Sequence, residues 1–153
     1  MIKAAFCDDD LSVLNELHVL MDNYRVERNQ EITYTAFHSP LELIAQIEKG
    51  MRFDILFLDV LMPGVNGIET AQEIREYDSA MKIIFLTSSA EYAVESYTVN
   101  AYFYQLKPIW PESFYRLMDS VLKECAQEQR RSLILRCKSG ITQISLDRLM
   151  YCE

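Results

Sequence analysis

"FLDVLMPGVNG", residues 57–67, holds the junction on which the fold turns. An apolar run ends in one aspartate, Asp59. Proline follows four residues later, a glycine comes directly after it, and a second glycine three residues on. A buried strand that stops at an acid and passes through Pro and Gly into a helical pattern is one unit of an alternating β/α chain. Burying an unpaired carboxylate is expensive. Asp59 is therefore either a solvated turn residue or an acid held at a strand end because it reacts.

Working outward, the same alternation covers most of the chain. Residues 2–7, 32–37, 53–59, 82–87 and 101–106 have the short apolar or alternating character of strands. Helical spacing fills the intervals. From Asp10 onward Val13, Leu17, Leu20 and Tyr24 form a stripe, with Leu14 and Met21 beside it. Ser39-Pro40 reads as a cap with proline at the first helical position, followed by Leu41, Leu43, Ile44 and Ile47 and stopped by Gly50. Residues 68–77 predict a third helix, 90–98 a short fourth with a weak stripe, and 111–127 a fifth lined by Phe114, Leu117, Met118, Val121 and Leu122. Five strands alternating with helices imply a parallel sheet covered on both faces, because parallel strands need crossovers.

The last stretch departs from this. Residues 133–138, Ser139-Gly140, 141–146 and 149–153 predict strand, turn, strand and the start of another strand, a short antiparallel β tail. Some two dozen residues cannot build a core of their own. The tail either packs on the main domain or opens a second one. Charge changes sign at the same place. Residues 1–129 carry 10 Lys/Arg against 21 Asp/Glu, a net of −11, and residues 130–153 carry 5 against 2, a net of +3. The first part repels nucleic acid; the second tolerates it. No apolar run approaches the roughly 18 residues of a membrane span. The N-terminus runs into three aspartates, unlike a signal peptide. Cys7, Cys125, Cys137 and Cys152 show no metal-binding spacing and are expected as reduced thiols in the cytoplasm.

In a doubly wound sheet the binding crevice lies beyond the carboxyl ends of the strands. Asp8 and Asp9 follow the first strand, Asp59 ends the third, Thr87 ends the fourth, and Lys107 follows the fifth. Three carboxylates at one edge repel unless a cation sits among them. The candidates for that cation are a metal or Lys107; Mg²⁺ takes one or two carboxylates plus phosphate oxygens, and Asp9 and Asp59 with a backbone carbonyl would suit it. Asp59 is then a carboxylate nucleophile toward phosphorus. Lys107 offers positive charge and Thr87 a hydroxyl donor to the equatorial oxygens, while Pro63, Gly64 and Gly67 shape the loop that lets Asp59 stand free.

Residues 1–127 resemble the receiver domain of two-component response regulators, on "FCDDD" (6–10), "LDVLMPGVNG" (58–67), "FLTSS" (85–89) and "YFYQLKPI" (102–109). The resemblance implies a flavodoxin-like sheet of order 2-1-3-4-5. Asp59 matches the phosphoacceptor, and Asp8 and Asp9 the acidic pair that positions Mg²⁺ with Asp59. The carbonyl of Leu61 matches the third protein ligand. Thr87 and Lys107 match the phosphate-contacting pair, Tyr104 the switch aromatic, and Lys107-Pro108 a bond often cis in the family. Leu61 departs from the polar residue often found there, which bears on phosphoryl lifetime. The implied partner is a sensor histidine kinase, with homodimerisation on phosphorylation through the surface of the fourth helix, fifth strand and fifth helix. Such a domain is not an enzyme in the ordinary sense, although it assists its own phosphotransfer and dephosphorylation.

"LILRCKSGITQISLDRLMYCE" (133–153) is similar to the opening strands of a LytTR-type DNA-binding domain. Residues 128–153 are then a linker and the N-terminal fragment of a transcriptional output domain, and DNA is bound only through its full-length form. The alternative is a stand-alone receiver acting through protein contacts. An aspartyl-phosphate phosphatase would need a substrate cap longer than any insertion here. A nucleotide-binding module would need a glycine-rich loop where "CDDDLSV" stands, and a flavodoxin-like electron carrier a phosphate loop there. Singly, each site residue has an ordinary explanation: Asp8–Asp10 as a helix cap, Thr87 as a strand former, Tyr104 as core. Asp10 is read as a cap only. His18 and His38 have no partner pattern and read as surface or satisfied histidines, neither of them a phosphohistidine.

Overall fold

Strand alternation becomes a two-faced sheet in the structure, a computed structural model that describes residues 1–140. The chain divides into two units, Met1–Tyr115 and Arg116–Glu153. In the first, five strands are parallel: β1 (Ile2–Cys7), β2 (Ile32–Phe37), β3 (Ile55–Leu58), β6 (Lys82–Thr87) and β7 (Phe103–Leu106). Their order is β2-β1-β3-β6-β7, the doubly wound order expected of the sequence. A two-stranded antiparallel hairpin, β4 (Leu61–Met62) and β5 (Val65–Asn66), follows Asp59 directly. Pro63 and Gly64 make its turn, and Gly64 has φ 72°, the positive value a type II turn requires of its third residue.

Side chains alternate across the sheet because successive Cβ atoms point to opposite faces. Ala5, Cys7, Leu56, Leu58, Ile83 and Phe85 form one buried cluster with Leu43 and Ile47 of α2 (Pro40–Glu48) and Ile68, Ala71 and Ile74 of α3 (Gly67–Arg75). On the other face Phe6 meets Phe57 edge-on at 5.7 Å, and Phe57 stacks on Phe114 at 5.7 Å. Tyr24 of α1 (Leu11–Arg28) closes on Phe114 at 6.2 Å. Each fully buried ring contributes roughly 1.5–3 kcal/mol over an exposed one. The strand ends that carry the polar residues thus rest on a tightly packed apolar base.

Three local expectations are corrected. The buried face of α1 is Leu14, Leu17, Met21 and Tyr24, whereas Val13 and Leu20 are half-buried. The expected helix over 90–98 is a run of turns followed by a 3₁₀ helix, Glu95–Val99. Its only buried residues are Ser96 and Val99, three apart, which one 3₁₀ turn places directly in line. Finally, α4 (Pro111–Gly140) runs through residues 133–138, where a strand was expected. No proline or glycine interrupts the chain between Pro111 and Gly140, and Gln, Arg, Leu and Lys there are good helix formers. The strands expected over 141–146 and 149–153 lie outside the described residues. In the second unit, Glu124 and Arg131 of α4 form an exposed pair at 3.5 Å.

Candidate functional site

Backbone pairing places the site before any side chain is considered. The amide of Asp59 donates to the Cys7 carbonyl at 3.1 Å, and that of Lys107 to the Thr87 carbonyl at 2.8 Å. The carboxyl ends of β1, β3, β6 and β7 are therefore level. Asp8 (2% exposed), Asp59 (4%) and Thr87 (0%) are buried there; Asp9 and Leu61 are exposed. Ligand oxygens of Asp8, Asp9 and Asp59 all lie within 4.8 Å of one another.

Lys107 comes from the far side of the cluster and bridges it. Its Nζ is 2.8 Å from Asp8 Oδ2 and 3.1 Å from Asp59 Oδ2. The remaining carboxylate oxygens are held by local turns. Asp8 Oδ1 accepts from the Asp10 amide at 2.9 Å, and Asp59 Oδ1 from the Leu61 amide at 3.2 Å. Both are Asx turns, in which a carboxylate takes the N–H two residues on. Asp10 does the same for Ser12 at 2.9 Å and so caps α1, as the sequence suggested. Asn66 caps α3 by accepting from Ile68 at 2.7 Å.

Charge at the site is unbalanced, with three carboxylates facing one ammonium. Burial pushes the Asp8 carboxyl above its ordinary value, assisted by the charge of Asp59 and opposed by the bonds from Lys107 and Asp10. For Lys107, burial alone would lower the ammonium. The hydrogen bond to Asp8 and the charges of Asp59 and Asp8 outweigh it and hold the group above the usual lysine value. A hard divalent cation fits this excess of negative oxygen donors. Asp8, Asp9, Asp59 and the Leu61 carbonyl would hold it.

Thr87 sits beside this cluster, its Oγ1 accepting from the Ser89 amide at 3.5 Å. The Tyr104 hydroxyl donates to the Ser89 carbonyl, and its ring lies 6.0 Å from that of Phe85. Tyr104 is thus half-buried and tied to the loop that Thr87 begins. The Lys107-Pro108 bond is cis. Asp8, Asp9, Asp59, Thr87 and Lys107 therefore stand at the same edge, while Tyr104 lies two residues inside the end of β7, paired with Phe85. Lys107, one of the two candidates for a cation among the carboxylates, does bridge Asp8 and Asp59. The amide of Leu61 as a donor was not foreseen, and the Asp-Val-Leu spacing was the available signal for it.

Cys7 lies directly beneath. Burial pushes its thiol up to about 12, and the charges of Asp8, Asp59 and Asp9 add to the shift. At pH 8 the thiolate fraction is then on the order of one in ten thousand. Cys7 is expected to resist a disulfide reagent in the native protein and to react once unfolded. Peptide mapping of timed labelling checks this; rapid native labelling of Cys7 would mean that the strand end opens.

Residues 5–121 match the family model of the response regulator receiver domain. Among curated proteins, the sensory transduction protein LytT of Oceanobacillus iheyensis is 38% identical over 80 residues, covering 51% of this chain and 32% of its own length. The transcriptional regulatory protein YpdB of Escherichia coli K12 is 32% identical over 104 residues, covering 62% of this chain and 42% of its own. The chain thus spans less than half the length of these two relatives. Among solved structures, the response regulatory domain of mrkE from Klebsiella pneumoniae superposes with a TM-score of 0.73 at 23% identity, over 82% of this chain and 99% of that one. That likeness speaks for the fold.

Proposed function

The chain belongs to the response regulator receiver domain family, and from that premise we propose that Asp59 accepts a phosphoryl group from a sensor histidine kinase. The observation that carries this is the meeting of three aspartates within 4.8 Å with Lys107 bridging two of them. In the transfer an oxygen of Asp59 attacks phosphorus, the phosphorus–nitrogen bond to the donor imidazole breaks, and the imidazole leaves with that electron pair. Asp59 reacts as an anion, so no proton is removed from it. Lys107 turns from the carboxylates to the incoming phosphoryl oxygens, and Thr87 donates its hydroxyl to another. Asp8, Asp9, Asp59 and the Leu61 carbonyl would hold Mg²⁺, which would supply the second positive charge an anionic nucleophile needs to meet an anionic phosphoryl group.

The phosphoryl group brings roughly two negative charges and strong acceptor oxygens within reach of Thr87. Drawing Thr87 toward them acts on the Thr87–Ser89 loop, to which the Tyr104 hydroxyl is bonded. Tyr104 is thereby the route from the acceptor to the surface where a second receiver docks. The family is a signalling domain, and the names of the relatives make transcription the output we assign, exerted through a DNA-binding domain of LytTR type on the C-terminal side of the receiver. Among the described residues no helix is long and apolar enough to cross a membrane. We place the chain in the cytoplasm with the kinase's transfer domain.

Acetyl phosphate, which needs no kinase, tests the reading. With Mg²⁺ the intact mass should rise by one phosphoryl group, mapped to the peptide containing Asp59, and a chelator should prevent it. A protein that stays unlabelled, or is labelled elsewhere, rules the assignment out.

A further inference from the structure

The connection between β6 and β7 is fastened unevenly. At its far end Arg75, the last residue of α3, spreads its guanidinium over three backbone carbonyls. Nε donates to Val99 at 2.8 Å, Nη2 to Asn100 at 3.1 Å and Nη1 to Asp78 at 3.3 Å. Val99 is 3% exposed and belongs to the same buried cluster as Ile74 and Phe85. Asn100 is left-handed, with φ 54°. The next amides are all engaged: Asn100 to Tyr97 at 3.0 Å, Ala101 to Ser96 at 3.2 Å and Tyr102 to Ile83 at 2.7 Å.

The near end differs. Residues 91–94 are turns, Val94 is 79% exposed, and the 3₁₀ helix starts without a side-chain cap. Here Tyr92, half-buried, packs on the core cluster, and the polar tie to the sheet is the neutral Tyr104 hydroxyl, which donates to the Ser89 carbonyl and also meets the Tyr92 backbone. A guanidinium is always charged and carries five donors in a rigid plane. It holds several carbonyls at once, where a hydroxyl holds one. A segment anchored this way yields first at the end with fewer buried contacts.

We propose that Arg75 is a positioning residue of the switch. It pins the end of the 3₁₀ helix to α3, so that phosphorylation of Asp59 moves residues 88–97 about a fixed point at Val99–Asn100. The inference rests on the phosphoacceptor reading above. Arg75 does not touch the reacting atoms. It ends the helix whose first residue, Gly67, adjoins Asp59, and about 12 Å of helix axis separates the two ends.

The test is amide hydrogen exchange on the full chain, with and without beryllofluoride and Mg²⁺ as the phosphoryl mimic, in wild type, Arg75→Gln and Arg75→Lys. In wild type the mimic should change exchange over 88–97 and leave Asn100, Ala101 and Tyr102 as they were. In Arg75→Gln those three amides should exchange about tenfold faster without the mimic, and the mimic's effect should extend through them. Arg75→Lys, which keeps the charge but not the planar fork, should fall between and secures the comparison if the glutamine variant does not fold. Labelling by acetyl phosphate should stay within about twofold of wild type in both, because the catalytic groups are untouched. Unchanged protection at 100–102 in both variants would overturn the anchor. So would a wild-type response as large at 100–102 as at 90–97. A wild type that neither takes up phosphate nor responds to the mimic anywhere would remove the phosphoacceptor reading and the moving segment with it, whereas normal uptake with a uniform response removes the hinge alone.

Discussion

Asp59→Asn should abolish phosphoryl uptake from acetyl phosphate and leave the fold intact. Asparagine keeps the shape, and its amide oxygen can still accept from Leu61, so the Asx turn that aims residue 59 survives. Lys107 keeps its 2.8 Å bond to Asp8. The anionic nucleophile is gone, and with it one of three carboxylates that crowd within 4.8 Å. Two like charges about 4 Å apart repel by about 4 kcal/mol at an effective dielectric near 20. The bridging ammonium offsets part of this, so without Mg²⁺ the variant should melt no lower than wild type. Its affinity for Mg²⁺ should fall because a ligand has lost its charge. Three measurements are needed: intact mass after acetyl phosphate, a thermal melt with chelator, and a Mg²⁺ titration. Labelling of the variant at the wild-type rate would transfer the acceptor role to another residue. A large drop in melting temperature would mean that Asp59 stabilises the fold through the Lys107 pair more than it strains it.

The parallel sheet was legible because each strand run is short, apolar and separated by a helical stretch, whereas the order 2-1-3-4-5 was implied by the resemblance to receiver domains. The site was legible for a related reason. Polar residues that interrupt apolar runs at several strand ends stand out, and the sheet gathers those ends at one edge. Failures fall where local pattern is weak or contradicted. Between Ala90 and Val99 large apolar residues are few, so no period dominates, and the segment forms turns and a short 3₁₀ helix that buries only Ser96 and Val99. At 133–138 the run Leu-Ile-Leu resembles a strand, but the uninterrupted helix of residues 111–132 continues through it. Helix elongation costs less than starting a new element, since nucleation is already complete. In α1 Leu17 and Tyr24 were placed on the buried face, but Val13 and Leu20 were put there in place of their neighbours Leu14 and Met21, because apolar residues stand on both sides of the true face. Arg75 was not read as functional at all. Its partners are backbone carbonyls of residues 78, 99 and 100, and such partners leave no trace in residue type.

Gly67→Ala should damage both stability and phosphorylation, more than its position in a helix suggests. Alanine ordinarily favours a helix over glycine by about 1 kcal/mol. Here the added Cβ would lie 2.2 Å from the Asp59 carbonyl oxygen, 2.7 Å from Val60 Cα and 3.0 Å from the Asp59 carbonyl carbon. All three are backbone atoms, so no side chain can swing aside. Either α3 retreats from the end of β3, stretching the 2.8 Å bond from the Gly67 amide to the Val60 carbonyl, or Asp59 itself shifts. Forcing one methyl group into a packed interior costs typically about 1–3 kcal/mol, with more to be expected where the obstacle is main chain. That exceeds the propensity gain, so the net sign is destabilising. A displacement approaching 1 Å at a reacting group can slow chemistry by about a hundredfold. Gly64→Ala separates this crowding from a generic glycine effect. Gly64 has φ 72° but nothing within 4 Å of a built Cβ, so its cost is backbone strain of about 1–2 kcal/mol in the hairpin turn, with Asp59 left in place. The expectation is therefore a lowered melting temperature for both variants but a severe loss of acetyl phosphate labelling only for Gly67→Ala. If Gly67→Ala labels as fast as Gly64→Ala at a temperature where both are folded, the close approach of α3 does not position the acceptor.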